Sequence, residues 1–180
     1  MESKSFTLIE LLVSLTVFIF IITGILGILI AGMRQQNISL SMQTVIDQTS
    51  FALELMSRAL RMATEENGQR CLSQAGFNYE ITRDGRGIKF INSMENNDCQ
   101  EFFVDRGQLK YWKRSTGQEL PLTSEKLEIT SFNLNIIGAS EPDLLQPRLT
   151  FFLAIQGRAS GVPKINIQTT ISSRNLDVIQ

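Results

Sequence analysis

The feature that most constrains this chain is an uncharged apolar run near its N-terminus, residues 11–33. As an α-helix, these 23 residues would span about 34 Å at ~1.5 Å per residue, enough to cross a bilayer core of ~30 Å. A secretory signal peptide would have an apolar region of only about 7–15 residues. We therefore expect one membrane-spanning helix, for which a plain single-pass anchor is the simplest explanation.

A single carboxylate, Glu10, precedes this run. Ionisable side chains in a membrane segment are costly, and for that reason they are candidates for a function. Three arrangements would stabilise the Glu10 carboxylate: it extends to the membrane interface, it pairs with Lys4 of the same chain, or it meets a cation from another subunit. Its place near the end of the run favours the first arrangement.

The residues around Glu10 favour the third arrangement. The stretch SFTLIELLVSL resembles the processing site of type IV prepilins and of type II secretion pseudopilins. In that family a short basic leader ends before a Phe, where a membrane peptidase cleaves the chain and methylates the new amino group. The resemblance implies a leader at residues 1–5, cleavage between Ser5 and Phe6, and N-methylation of Phe6. The family usually has Gly where this chain has Ser5.

The resemblance also implies that Glu10 acts in assembly. Cleavage would leave a positive amino group at Phe6, and the Glu10 carboxylate of a neighbouring subunit would neutralise it. Each charge lowers the cost of burying the other, so a subunit in the wrong register would bury an unpaired charge. A negative side chain in the first turn also suits the helix dipole.

The pattern after Arg34 predicts that the helix continues. Apolar side chains recur mostly at spacings of three and four, which is typical of an amphipathic helix. They are Ile38, Met42, Val45, Ile46, Ala52, Leu53, Met56, Leu60 and Ala63. We expect this helix to end near residue 66, with Gly68 as its stop.

From residue 67 onward the apolar pattern has a period of two, which predicts β-strands. A change of phase near Thr130 predicts a bulge. We expect an α+β fold in which the long helix packs on an antiparallel β-sheet head, and the resemblance makes this arrangement pilin-like. The predicted strands are 77–83, 87–91, 101–105, 108–114, 126–138, 148–157 and 164–174. The predicted divisions are leader 1–5, transmembrane and filament-core helix 6–33, amphipathic continuation 34–66 and β-rich head 67–180.

Cys71 and Cys99 are the only cysteines in the chain. The resemblance places the head outside the cytoplasm, where thiols commonly oxidise. We expect a disulfide that closes a 28-residue loop. Such a bridge would stabilise the head by roughly 2–4 kcal/mol. The alternatives are two buried free thiols, or a pair too far apart to bond.

The residue content points away from catalysis. The chain has no histidine and a net charge of −1, and we find no phosphate-binding Gly loop, nucleophile elbow or metal-ligand cluster in the sequence. We expect no enzyme activity, no cofactor and no metal. The polar stretches 95–101 and 140–143 are interpreted as solvated loops rather than calcium sites. The interleaved cations and aromatics at 110–114 favour a half-buried strand over a nucleic-acid site.

Two short stretches of the predicted head, LPLTSEKLEITSFNLNI and INIQTTISSRNLD, resemble minor pseudopilins and minor pilins of the J and W classes. The resemblance implies a minor pilin-like structural subunit, above all a minor pseudopilin that supports protein export. It would sit in the bacterial inner membrane with its head outside the cytoplasm, and then join a periplasmic or cell-surface filament. Its partners would be other pilin or pseudopilin subunits, prepilin peptidase, the inner-membrane assembly platform and, before assembly, lipid.

Two alternatives stay open. The first is a minor type IV pilin or competence pseudopilin that serves adhesion or DNA uptake. The second is an uncleaved single-pass membrane protein with a ligand-binding head.

Overall fold

One long helix, α1, forms the first element of the structure. The computed structural model describes residues 7–68, 71–139, 145–158 and 161–174. Helix α1 comprises Leu8–Arg61 and is 54 residues long. The chain divides into two compact units, Met1–Leu40 and Ser41–Gln180, and α1 contributes residues to both.

In the first unit, α1 is long and apolar enough to cross a membrane. Its large apolar side chains are exposed on all sides of the helix. The hydroxyls of its apolar run donate to backbone carbonyls about one turn earlier, which satisfies polar groups that find no partner in hydrocarbon. These bonds join Ser14 to Leu11 at 2.9 Å, Thr16 to Val13 at 2.8 Å, and Thr23 to Ile19 at 2.8 Å.

In the second unit, one face of α1 is buried. The buried side chains lie three or four residues apart and are Val45, Thr49, Ala52, Met56 and Leu60. All but Thr49 belong to the predicted apolar stripe. Thr49 is tolerated there because its hydroxyl donates to the Val45 carbonyl at 2.5 Å, so its polar group is not left unsatisfied. Ile46 was also predicted to face the head, but it is 46% exposed.

Helix α1 ends at Arg61, and the prediction that it ends near residue 66 is wrong. Ala63–Thr64 instead forms a short strand, β1, in the first of two sheets. Gly68, the predicted stop, therefore lies beyond this strand rather than at the end of the helix.

Groups distant in sequence satisfy the last carbonyls of α1. The buried Tyr79 hydroxyl donates to the Leu60 carbonyl oxygen at 2.7 Å. The Arg174 amide donates to the Arg61 carbonyl oxygen at 2.8 Å. Since these carbonyls have no partner within a helix, tertiary hydrogen bonds replace the usual glycine cap. Burial raises the pKa of Tyr79 well above its ordinary value.

Two antiparallel sheets complete the second unit, where the sequence predicted one. Besides β1, their strands are β2 (Tyr79–Thr82), β3 (Gly87–Asn92), β4 (Asp98–Asp105), β5 (Gln108–Lys113), β6 (Glu119–Pro121), β7 (Leu127–Ile137), β8 (Arg148–Gly157) and β9 (Ile165–Ser172). In the first sheet β3, β4, β5 and β6 lie side by side, and both β1 and β2 pair with β3. The second sheet is the meander β7-β8-β9.

The α+β class and the seven predicted strands are confirmed, whereas β1 and β6 were not predicted. The predicted bulge is also confirmed, since the pairing of β7 with β8 shifts between Ile129 and Ser131. Between β4 and β5, Arg106 and Gly107 have φ values of 49° and 76°, which is typical of a two-residue hairpin turn.

The main core lies where the buried stripe of α1 meets residues from both sheets. Within it, the buried Phe102 ring stacks on Tyr111 at 4.7 Å and on Phe90 at 5.7 Å between centroids. From the second sheet, Leu149 and Phe151 join the same cluster. This core holds the end of α1 and the two sheets in one unit.

Candidate functional site

The start of α1 contains the predicted assembly residue. Glu10 lies in the first turn of the helix with an exposed side chain. The predicted processing residues Ser5 and Phe6, and also Lys4, lie outside the described residues. The geometry around Glu10 is therefore the part of this site that the structure describes.

Glu10 and Thr7 form a reciprocal cap on α1. The Glu10 amide donates to the Thr7 hydroxyl oxygen at 3.4 Å. In return, the Thr7 amide and hydroxyl donate to Oε2 of Glu10 at 3.3 Å and 3.1 Å. This is the capping-box arrangement, in which a Thr and a Glu three residues later satisfy each other's backbone amides.

This cap was not predicted, although the pattern Thr-x-x-Glu before an apolar run is a recognised signal for it. The cap adds a fourth arrangement to the three considered for Glu10. Hydrogen bonds within the described residues reach Oε2, and among those residues Oε1 accepts none. The carboxylate can therefore cap its own helix and still offer one oxygen to a cation.

In the head, Cys71 and Cys99 form a disulfide with their Cα atoms 5.6 Å apart. Both residues are buried, at 6% and 2% exposure. Cys99 was predicted to lie in the solvated loop 95–101, but it lies within β4. The bridge forms a second, smaller apolar cluster with Leu72 and Ile91, against which Phe77 and Trp112 pack.

A buried carboxylate, Glu66, organises the chain beside the disulfide. Its Oε2 accepts hydrogen bonds from the Cys71 amide at 2.7 Å and the Leu72 amide at 2.9 Å, and the residue is 3% exposed. Its backbone amide donates to the Phe77 carbonyl, and its carbonyl accepts from the Gly76 amide, both at 3.0 Å. No local pattern predicts this role for Glu66, because a glutamate after a helix usually faces solvent.

Charged side chains on and beside the first sheet form ion pairs with one another. The Arg83 guanidinium lies 3.4 Å from the centre of the Phe103 ring and donates to both Glu101 oxygens, at 3.0 Å and 3.2 Å. The hydrogen bond to Glu101 raises the pKa of Arg83 above its ordinary value. The Thr82 hydroxyl also donates to Glu101, at 2.6 Å. This cluster stabilises the sheet and leaves Glu101 few open hydrogen-bonding positions.

The stretch 95–101, considered for calcium, also binds protein groups. Asp98 accepts hydrogen bonds from the Ser115 amide at 3.1 Å and the Ser115 hydroxyl at 2.6 Å. Glu95 pairs with Lys113. Within the described part of the chain no group of three or more Cys, Asp or Glu side chains is placed to hold a metal ion. The other stretch, 140–143, lies outside the described residues.

Cations in the stretch 110–114, considered for nucleic-acid binding, also form ion pairs with carboxylates of the protein. Lys110 contacts Asp105 at 2.5 Å and Glu119 at 3.8 Å. The hydrogen bond from Lys110 lowers the pKa of Asp105. Trp112 packs against the disulfide cluster rather than forming part of an aromatic surface. Strand β5 thus has Leu109 and Tyr111 on a buried face, as the alternating pattern predicted.

Neither a family model, nor a curated protein, nor a solved structure matches this chain.

Proposed function

We propose that this chain is a minor pilin-like subunit of a type II secretion filament. The observation that carries the proposal is the position of the Thr-Leu-Ile-Glu motif. These residues, 7–10, begin a helix that is long and apolar enough to cross a membrane. The resemblance at this site, and the family's cleavage between residues 5 and 6, give the start of the helix a role in assembly.

In this proposal, the mature chain begins at a methylated Phe6 amino group, and Glu10 of one subunit binds the amino group of the next. The capping box supports this role because it fixes the carboxylate at the first turn through Oε2. Oε1 is then the oxygen that meets the neighbouring cation. A matched pair lowers the cost of placing both charges in an apolar filament core, so correct register is favoured.

The buried stripe of α1 supports a structural rather than a catalytic role for the head. Val45, Met56 and Leu60 are 0% exposed, which fixes the last turns of the helix to a rigid β-rich body. A filament that pushes or scaffolds cargo needs each head to be held firmly by its helix. The disulfide and Glu66 brace the chain that follows the helix end.

Two substitutions separate the charge of Glu10 from its capping role. Glu10→Gln removes the charge and keeps a side chain that can complete a capping box. Thr7→Val removes the cap hydroxyl and keeps the carboxylate. We expect Glu10→Gln to insert normally but to crosslink poorly to partner subunits in its own host, and Thr7→Val to crosslink almost normally. The opposite ranking would mean that Glu10 serves only as a helix cap.

Processing is tested by the intact mass of the protein purified from its own host. We expect a chain that lacks residues 1–5 and carries one methyl group on Phe6. Ser5→Gly, which restores the usual family residue, serves as the matched control and is expected to be processed fully. A chain that keeps residues 1–5 in both forms would favour the uncleaved membrane protein with a binding head.

Deletion of the gene for this chain in its own host tests which filament system the chain serves. Loss of protein export, with surface pili and DNA uptake unchanged, is the expected result. Loss of pili or of DNA uptake, with export intact, would replace the secretion assignment with a minor pilin or competence pseudopilin. Export, surface pili and transformation frequency are the three measurements.

A further inference from the structure

Strand β9 is an open edge of the second sheet. All eight of its residues, Ile165–Ser172, pair with β8 without a register shift. Among the strands that the structure describes, none pairs with the other side of β9. In an antiparallel sheet every second residue of an edge strand directs its N–H and C=O groups away from its neighbour. Strand β9 therefore presents a regular row of backbone donors and acceptors.

This edge lacks the usual features that prevent pairing with another chain. Edge strands are commonly short, bulged, charged or interrupted by proline. Strand β6, an edge of the first sheet, has three residues and ends in Pro121. Strand β7, the other edge of the second sheet, has a bulge, and its Ile129 amide donates to Gly107 at 2.8 Å. Strand β9 has no charge, proline or bulge along its length.

The side chains of β9 alternate. Ile165 and Ile167 are half-buried and Ile171 is buried, whereas Asn166, Gln168 and Thr170 are exposed. Residues on one face of neighbouring strands lie close enough to pack together. A strand added beside β9 would therefore bury more apolar surface if its own apolar side chains occupy every second position.

Positive charge lies at both ends of β9. Lys164 precedes the strand and Arg174 follows it, and both are exposed. Arg148, which is also exposed, pairs with Ser172 in the register of β8. Within the described residues none of these three cations forms an ion pair. Glu54 lines a groove together with Arg174, but it is already paired with Arg58 at 2.6 Å.

These charges argue against a second copy of β9 as the added strand. Antiparallel pairing about Thr169, near the middle of β9, would set Lys164 of one copy directly opposite Arg174 of the other. Like charges in opposed positions are destabilising. An added strand with acidic side chains at both ends would instead meet a cation at each end.

We propose that β9 binds an extended segment of another protein, which adds to the second sheet as a further strand. The segment has apolar side chains at alternate positions and acidic side chains at both ends. Backbone hydrogen bonds supply affinity in this mode of binding, and side chains and charges supply specificity. The inference goes beyond filament assembly and does not depend on it, because the edge belongs to the head alone.

The test uses the full chain in detergent micelles and three synthetic peptides. Each has an eight-residue core of alternating Val and Thr, the length of β9. The first has Glu at both ends and the second has Lys at both ends. The third is the Glu peptide with every backbone amide N-methylated, so that neither edge of it can donate a hydrogen bond. We expect the Glu peptide to bind, the Lys peptide to bind about tenfold more weakly at low salt, and the methylated peptide not to bind. Hydrogen exchange should slow within β9 when the Glu peptide is bound.

A charge-reversed protein, Lys164→Glu with Arg174→Glu, should reverse the preference between the Glu and Lys peptides. The matched control reverses two exposed cations elsewhere, Arg86→Glu with Lys126→Glu, and should leave the preference unchanged. Thermal unfolding of both variants establishes that they are folded.

Four outcomes would overturn the proposal. The Glu peptide does not bind, the Lys peptide binds equally well, or the methylated peptide binds equally well. In the fourth, the amides along β9 are already protected from exchange in the free protein. If deletion of residues 175–180 then removes this protection, the chain's own C-terminal residues are the occupant. If dilution removes it, the occupant is a second copy.

Discussion

The two parts of α1 have the same backbone structure but different surroundings. In the first unit Leu26 is 50% exposed and Phe20 is 80% exposed, whereas in the second unit Val45 and Leu60 are 0% exposed. The first part is apolar on all sides, so only lipid or neighbouring helices can cover it. The second part buries a single stripe against the head. Helix formation alone therefore does not tell the two parts apart; the width of the apolar surface does.

The largest expected effect comes from truncating the buried stripe. Leu60→Ala should lower the free energy of unfolding of the head by about 4 kcal/mol, because it removes packed atoms and leaves a cavity. Leu26→Ala, in the exposed part of the same helix, should change it by less than about 0.5 kcal/mol. Denaturant unfolding of the full chain in detergent, followed by fluorescence of Trp112, measures both. Equal effects would contradict the division of α1 into two differently stabilised parts.

The second-largest expected effect comes from removing the disulfide, which lies in the second unit. Replacing Cys71 and Cys99 together by Ala should lower the free energy of unfolding by about 3.5 kcal/mol, since the open chain gains entropy when a loop of this length is released. Insertion of α1 into membranes should not change. Alkylation of the unreduced, denatured protein from its own host gives the thiol state directly. Two alkylated thiols per chain would mean that the bond does not form there.

The third prediction compares the effect of a new charge in each of the two parts of α1. Leu26→Arg places a charge in the apolar run and should disfavour membrane insertion by about 3 kcal/mol. Ile46→Arg, at a position that is 46% exposed in the second unit, should leave insertion unchanged. The fraction of protein resistant to extraction from membranes measures the difference. A comparable loss in both variants would extend the membrane segment to residue 46.

The smallest effect tests the turn that follows α1. Glu66→Gln should lower the free energy of unfolding by about 2 kcal/mol, because two backbone amides lose a charged acceptor in a buried place. Glu65→Gln is the matched control, since Glu65 accepts a hydrogen bond from the exposed side chain of Asn67. The same fluorescence assay compares the two variants. If both lose the same stability, the buried carboxylate has no special role.

Local patterns predicted much of this fold. The positions of β3, β5, β8 and β9 follow from the period of two, because alternation records which face of a strand is buried. The turn at Arg106 and Gly107 follows from its short sequence between two alternating segments. The bulge in β7 was visible as a change of phase. The sequence singled out Glu10 as a candidate residue, yet its bond to Thr7 was not predicted although the signal is local.

The sequence by itself determined the apolar run, the cap at its start and the alternation of the strands, because each depends on residues a few positions apart. Only the tertiary structure decided where α1 ends and which strand edge stays open. The helix ends at Arg61 because Tyr79 and Arg174, distant in sequence, bind its last carbonyls. Strand β9 is an edge because β8 pairs with one side of it and no described strand pairs with the other. A backbone hydrogen bond does not depend on side-chain identity, so no pattern of residues along β9 could reveal which of its sides is unpaired.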